Sequence, residues 1–201
     1  MVDRCAIFRF NGRAMFTNLL QLYTFVDQTM DRLRERFPAE IACGRGCADC
    51  CAAVFDVSFI EALFLLAYFR QLPKPDRLEI LDHAETALAA WRKLTAGAGD
   101  LSTARIRCPL LTAANVCAAY PARPVNCRTY GVPTVINGAA HVCGLSGFDK
   151  GQTYFTIQLA PLQQSLLDYS CKLAGAVEGG RRFPIAEVLL HPAPFAAILA
   201  K

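Results

Sequence analysis

The sequence predicts a mainly α-helical fold, in which helices pack around an irregular, cysteine-rich knot with one small hairpin. Apolar residues recur at helical intervals in several stretches of the 201-residue chain, proline and cysteine concentrate between residues 104 and 133, and an Asn-Gly dipeptide separates two short runs. With 54% apolar and 19% charged residues, the chain has the composition of a globular protein. Its length fits a single domain over residues 1–201.

Two helices are predicted in the first third of the chain. The first covers residues 14–36, where apolar side chains recur at helical intervals. The second begins near Asp56, because Ser58 and Glu61 have the spacing of a capping box ahead of an apolar run, and it ends before Pro73. The cysteine-rich segment between these two helices is expected to be a loop.

A third helix is predicted over residues 75–95, and Gly97 and Gly99 indicate a flexible link after it. Residues 104–133 combine several prolines with three cysteines, so this stretch should be irregular with short helical turns. The second cysteine-rich region therefore lies far from the first in sequence, and only the fold can bring the two together.

The last third is predicted to contain a hairpin and two helices. The stretch at 133–143 is typical of a small hairpin with its turn at Asn137-Gly138. A fourth long helix is expected over residues 152–174, interrupted or restarted near Pro161, and a short helix is expected after Pro184.

Neither a membrane span nor a secretory signal is predicted. The most apolar stretch, at residues 57–69, contains 13 residues and includes Glu61, whereas a spanning helix needs about 20 residues. The first 16 residues alternate charged and apolar side chains and contain no continuous apolar region. We expect a cytoplasmic, bacterial-type protein that does not associate with a membrane.

The charge pattern disfavours nucleic acid as a partner. The formal net charge is +4, from 21 basic and 17 acidic residues, and basic pairs such as Arg92-Lys93 and Arg181-Arg182 lie far apart. Nucleic-acid binders concentrate basic residues on one stripe. A protein partner remains open, and its identity is unknown.

Ten cysteines are the most informative feature of the chain. Four fall within nine residues, in CGRGCADCC at 43–51, and three more lie between residues 108 and 127. A disulfide framework is disfavoured because the expected compartment is reducing and the chain is long enough for an ordinary core. Cys5 and Cys171 stand alone and are expected to be small buried hydrophobes.

Metal binding explains the clustered cysteines directly. Thiolates suit zinc and iron–sulfur clusters, and short Cys-x-x-Cys spacings let one turn provide two ligands. Gly44 and Gly46 give the loop the backbone freedom to turn its thiolates inward. Cys50 and Cys51 are adjacent, so their side chains point in different directions and can serve different centres.

The motifs resemble one known family. CGRGCADCC, CPLL at 108–111 and CAAYPARPVNCRTYG at 117–131 are similar to the cysteine-cluster family called YkgJ-type or CxxCxxCC proteins, a putative zinc- or iron-chelating family. The resemblance covers about residues 40–135, which would form a cysteine core with helical flanks. It departs from the pattern in one place, where three residues instead of two separate Cys43 from Cys47. One branch of the family resembles flagellin lysine methylases, which implies that an enzyme is conceivable.

Eight cysteines are the predicted metal ligands, and two arginines are predicted to assist them. Arg123 and Arg128 should offset the negative charge of the centre and donate hydrogen bonds to sulfur. No catalytic residue is predicted. The expected ligands are Cys43, Cys47, Cys50, Cys51, Cys108, Cys117, Cys127 and Cys143.

The residues leave the metal undecided, with an iron–sulfur cluster, 4Fe–4S in particular, slightly favoured over Zn²⁺. The all-thiolate inventory and the Cys108-Pro109 pair favour iron–sulfur. The Cys47-x2-Cys50 spacing and His141, which could complete a mixed site, favour zinc. The count of cysteines permits one centre with spare thiols or two centres.

Three functions remain open at this point. The first is a metal-binding protein without a defined activity. The second is an iron–sulfur enzyme, either oxidoreductase-like or, as the methylase resemblance implies, a methylase that uses S-adenosylmethionine. Cys43-x3-Cys47-x2-Cys50 is also the spacing of radical S-adenosylmethionine enzymes, but Asp49 stands where those enzymes usually have an aromatic residue. The third is a zinc module that binds a macromolecule. Whether the chain is an enzyme is left undecided.

Overall fold

A computed structural model describes residues 13–44, 46–97, 101, 103–136, 138–149 and 151–200 of the protein. The predictions made on Cys5, Gly99 and Asn137 lie outside these residues. Within them the fold is mainly α-helical with small strands, as predicted. The helices are α1 Thr17–Arg36, α2 Phe59–Phe69, α3 Lys74–Ala96, α4 Val125–Arg128, α5 Leu159–Gly179, α6 Ile185–Leu190 and α7 Ala193–Leu199. The strands are β1 Asp56–Ser58, β2 Thr134–Ile136, β3 Ala139–His141, β4 Ile157–Gln158 and β5 Arg182–Pro184.

Helix α2 is the centre of the hydrophobic core. Ten of its eleven residues are buried, because it is apolar on every side and packs against α5, α6 and α7. The apolar stretch that is too short to span a membrane is thus a core helix. Of the helices in the described ranges, none has the length and apolar character needed to cross a membrane.

The predicted hairpin is present, and two further pairings accompany it. β2 and β3 pair antiparallel as expected, and β4 adds to β2 in parallel, which gives the order β3-β2-β4. β1 pairs antiparallel with β5, so that Val57 lies opposite Phe183. These additional strands contain two or three residues each, which is too short for a detectable alternating pattern.

The fourth long helix begins later than predicted. Residues 157–158 form β4 against β2, so α5 starts at Leu159 instead of residue 152. Pro161 then falls in the first helical turn, where its missing N–H costs no hydrogen bond. The regular part of the helix ends at Gly175, whose φ of 77° is not helical.

Candidate metal centre

The first cysteine cluster is a loop of tight turns that joins α1 to β1. The Cys47 N–H donates to the Gly44 carbonyl over 3.1 Å, and a single 3-10 turn covers residues 49–51. The loop is bonded to the distal cysteine segment through the backbone, since the Cys108 N–H donates to the Cys51 carbonyl over 2.6 Å. The two cysteine regions therefore meet, although more than 50 residues of chain separate them.

The distal segment folds back on itself and brings its own cysteines together. Leu111 and Cys117 form an antiparallel bridge, and the Ala118 N–H donates to the Leu110 carbonyl over 2.8 Å. A 3-10 turn at 120–122 and the short helix α4 follow, and α4 carries Cys127. Short turns separated by prolines, as predicted for 104–133, are thus what places three thiols from this segment near the loop.

Five thiols form one group, which we call the five-thiol group: Cys50, Cys51, Cys108, Cys117 and Cys127. The sulfurs of Cys50 and Cys51 are 4.0 Å apart. The thiol of Cys127 interacts electrostatically with those of Cys50, Cys108 and Cys117. The loop and two parts of the distal segment therefore contribute to a common all-thiol set.

Burial is the largest cause of the raised thiol pKa values in most of this group. It raises the pKa of Cys108 to about 12, and it raises the pKa values of Cys117 and Cys127, with the neighbouring thiols adding to the rise. The pKa of Cys50 is raised chiefly by its hydrogen bond with Cys51 and then by burial. Thiolates in such surroundings need a nearby cation, which a bound metal would provide.

The remaining three cysteine ligands predicted from the sequence line a cavity of about 80 Å³, which we call the three-thiol cavity. Its thiols belong to Cys43, Cys47 and Cys143, and Tyr130 and Gly131 form part of its wall. Cys43 and Cys47 share a hydrogen bond, and the pKa of Cys43 is raised by burial and then by the charges of Cys47 and Cys50. The eight cysteines are therefore distributed over two adjoining places.

Gly131 is required where its backbone passes Cys43. It has a φ of +93°, and a Cβ at this position would lie 2.8 Å from the Cys43 Cβ and 3.5 Å from its sulfur. An alanine here would be strained by its backbone conformation and would also push into the three-thiol cavity.

We expect Gly131→Ala to lower the free energy of unfolding by about 2–4 kcal/mol, since left-handed strain costs about 1–2 kcal/mol and overpacking adds about 1–3 kcal/mol. Gly151→Ala is the matched control, because Gly151 has a φ of +92° with no atom within 4 Å of the added Cβ. Its free energy of unfolding should fall only by the roughly 1–2 kcal/mol of left-handed strain. Equal losses of unfolding free energy for the two variants in urea denaturation would contradict the close approach of Gly131 to Cys43.

A carboxylate stands beside the three-thiol cavity. One Asp49 oxygen, Oδ2, accepts hydrogen bonds from the Tyr130 hydroxyl (2.8 Å) and from the Cys143 thiol (3.2 Å), and the other lies 3.3 Å from the Arg105 guanidinium. Burial acts to raise the pKa of Asp49, but the bonds from Cys143 and Tyr130 and the charge of Arg105 lower it overall. Asp49 is therefore an ionised oxygen donor next to the Cys143 thiol.

The donor set fits a thiophilic metal in its chemistry, although the side chains are not yet arranged around one. All nine cysteines in the described ranges are free thiols. Among those residues, no three Cys, His, Asp or Glu side chains form a group that could hold a metal ion as they stand. Each cysteine has a single side-chain torsion, so rotation about χ1 is the motion that would bring sulfurs onto an ion.

Comparison with known proteins gives one match. A family model named CxxCxxCC and described as "Putative zinc- or iron-chelating domain" matches residues 42–144, about half of the chain. The chain belongs to this family. Neither the curated proteins nor the solved structures contain a match. The matched residues of the CxxCxxCC domain contain all eight predicted ligands, and membership supports metal binding by this part of the chain.

Arg123 lies close to the five-thiol group of the CxxCxxCC domain. Its guanidinium carbon stacks 3.6 Å from the centre of the Tyr120 ring, and its charge acts against the raised pKa values of Cys50, Cys117 and Cys127. Whether Arg123 also offsets the charge of a bound metal centre stays a prediction.

Arg128 is held by other partners. Its guanidinium donates to Asp27 on α1 over 2.7 Å and to the carbonyls of Pro121 and Arg123 over 2.6 and 2.7 Å, and it stacks on the Tyr23 ring at 3.9 Å. These contacts fasten the α4 segment to α1. Whether Arg128 also assists a bound metal stays a prediction.

Glu61 connects the core helix to the same segment. Its carboxylate is 2% exposed and accepts hydrogen bonds from the Ser58 N–H (3.0 Å), the Ser58 hydroxyl (2.8 Å) and the Val125 N–H (2.8 Å). The bond from the Ser58 N–H belongs to the predicted capping box, which is confirmed, and the bond from the Ser58 hydroxyl is additional to it. The third fixes the start of α4, two residues before Cys127.

Sequence reasoning did not identify Asp49, Arg105 or the Glu61–Val125 bond. The spacing of the cysteines leaves the residue type at position 49 unspecified, and no local pattern indicates a contact between Asp49 and Cys143. Of the other residues considered, Cys171 lies on α5 and His141 is exposed at the end of β3.

Proposed function

We propose that this protein is an iron–sulfur protein, in which Cys50, Cys108, Cys117 and Cys127 hold a 4Fe–4S cluster. The observation that carries this proposal is the convergence of thiols from the loop, the distal turn and α4 on one group. Four thiolates are the usual ligand set of such a cluster. Bound there, the cluster would supply one-electron transfer.

The distribution of the thiols supports a cluster in preference to zinc. The zinc alternative depends on Cys47 and Cys50 sharing one ion, as in a zinc knuckle. In the structure Cys47 lines the three-thiol cavity, whereas Cys50 shares a hydrogen bond with Cys51. The charge of Cys50 acts on all three distal thiols and, in the cavity, on Cys43. His141, the candidate for a mixed site, is exposed.

Charge and rigidity around the five-thiol group also support the proposal. Four thiolates on an oxidised cubane carry a net charge of about −2, which a nearby arginine helps to offset. Arg123 is in position to do so. Glu61 and Arg128 hold the α4 segment in place from two sides, so Cys127 is oriented before a cluster binds.

The test is to purify the protein without oxygen from iron-supplemented cells and measure iron, acid-labile sulfide and zinc per chain. We expect a brown protein with broad visible absorption and with equal amounts of iron and sulfide. A colourless protein that carries zinc, and no sulfide, would overturn the proposal and favour the zinc module.

A further inference from the structure

The three-thiol cavity adjoins the five-thiol group but is lined by a different set of thiols. The residues that line it include Cys43, Cys47 and Cys143 but none of the five other cysteine ligands predicted from the sequence. Cys143 follows the β2–β3 hairpin, so a third segment of the chain closes the cavity. The Cys143 sulfur contacts Asp49 and the amide of Leu145, and Tyr130 and Gly131 from the end of the distal segment also line the cavity.

One pair of donors at this cavity already has nearly the spacing of metal ligands. The Asp49 Oδ2 and the Cys143 sulfur are 3.2 Å apart. On a tetrahedral zinc ion with Zn–S of about 2.3 Å and Zn–O of about 2.0 Å, neighbouring sulfur and oxygen ligands are about 3.5 Å apart. A cation would therefore replace the thiol proton between these two atoms with little movement.

The surroundings hold these donors in place and balance their charge. Tyr130 and Arg105 fix the Asp49 carboxylate, and the Leu145 N–H donates to the Cys143 sulfur over 3.4 Å. Arg34 acts electrostatically on Cys43 from α1. Such outer contacts orient ligands and stabilise bound thiolates.

The cavity has room for an ion. Its volume of about 80 Å³ exceeds the roughly 10–15 Å³ that one water needs. Gly131 contributes to this space, since a side chain there would contact Cys43. The thiols of Cys43 and Cys47 already share a hydrogen bond. To reach an ion beside Asp49 and Cys143, both side chains must rotate about χ1.

We propose that Cys43, Cys47, Cys143 and Asp49 form a second metal site, which takes a single thiophilic divalent cation independently of the cluster. Three thiolates select a soft or borderline ion, and one carboxylate completes four-coordination. This inference rests on the proposed function only in assigning the cluster to the five-thiol group.

The experiment measures zinc, iron and sulfide per chain in the full-length protein after anaerobic purification and equilibration with Zn²⁺. Wild type should carry one zinc in addition to the iron and sulfide. Cys43→Ser and Cys143→Ser should lose that zinc and keep their iron and sulfide. Cys117→Ser should keep the zinc and lose iron and sulfide. Cys171→Ser, outside both groups, should match wild type.

Asp49→Asn provides the milder variant, because an amide of the same shape keeps the side chain but removes its charge. We expect its zinc affinity to fall by more than the roughly 10–100-fold that the loss of an outer supporting partner costs, because Asp49 is itself a ligand in the proposed site, with unchanged iron and sulfide. Unchanged zinc in Cys43→Ser, Cys143→Ser and Asp49→Asn would overturn the second site, as would joint loss of zinc, iron and sulfide in Cys143→Ser. Wild type that binds zinc but holds no iron or sulfide would instead overturn the proposed cluster.

Discussion

Replacing Glu61 by alanine should lower the free energy of unfolding by about 3–5 kcal/mol, because the change leaves the buried Ser58 and Val125 N–H groups without an acceptor at about 1–3 kcal/mol each and opens a cavity in the core. The carboxylate is 2% exposed, so water cannot replace it easily. Urea denaturation of the metal-loaded wild type and variant measures this difference in unfolding free energy. Metal content should fall as well, since the Val125 bond fixes the start of α4.

Two controls separate this effect from the loss of any acidic residue. Glu178→Ala removes a half-exposed carboxylate that pairs with the equally exposed Arg181 just beyond the end of α5, and it should change stability by less than about 0.5 kcal/mol. Glu61→Gln keeps one acceptor oxygen, so its loss of unfolding free energy should lie between the losses of Glu178→Ala and Glu61→Ala. Glu61→Ala with wild-type stability would show that the carboxylate does not connect α2 to α4.

Cys127→Ser should abolish most iron and sulfide binding. The Cys127 thiol interacts with three other thiols of the five-thiol group, and a serine hydroxyl is a poor ligand for a soft thiolate site. The loss of affinity should exceed the roughly 10–100-fold that removal of an outer hydrogen-bonding partner costs. Iron and sulfide analysis with visible absorption measures it, and solubility should also decrease.

The matched control is Cys171→Ser, which replaces a half-buried thiol on α5 outside both cysteine groups. Its metal content should equal that of wild type. Full iron and sulfide in Cys127→Ser would remove this residue from the ligand set. A large loss in Cys171→Ser would show that the cysteines were divided incorrectly between structural and ligand roles.

Local patterns in the sequence determined the fold class and much of the element order. The capping box at Ser58 and Glu61, the helices at 14–36 and 75–95 and the β2–β3 hairpin each depend on residues close together in the chain. The cysteine motifs also sufficed to identify the family, which the match over 42–144 confirms. These features were predictable because helical periodicity, capping and motif spacing need no distant partner.

Only the tertiary structure decided which cysteines are neighbours and which other side chains join them. Asp49 meets Cys143 across 94 positions, Glu61 meets Val125 across 64, and β1 pairs with β5 after more than 120 residues. No spacing rule constrains contacts over such distances, because the intervening chain can follow many paths. The sequence predicted that the adjacent Cys50 and Cys51 side chains point in different directions, but the 3-10 turn that carries them leaves their sulfurs 4.0 Å apart in one group. The sequence by itself therefore determined a metal-binding helical domain, and the packing of its loops divided the thiols into two places.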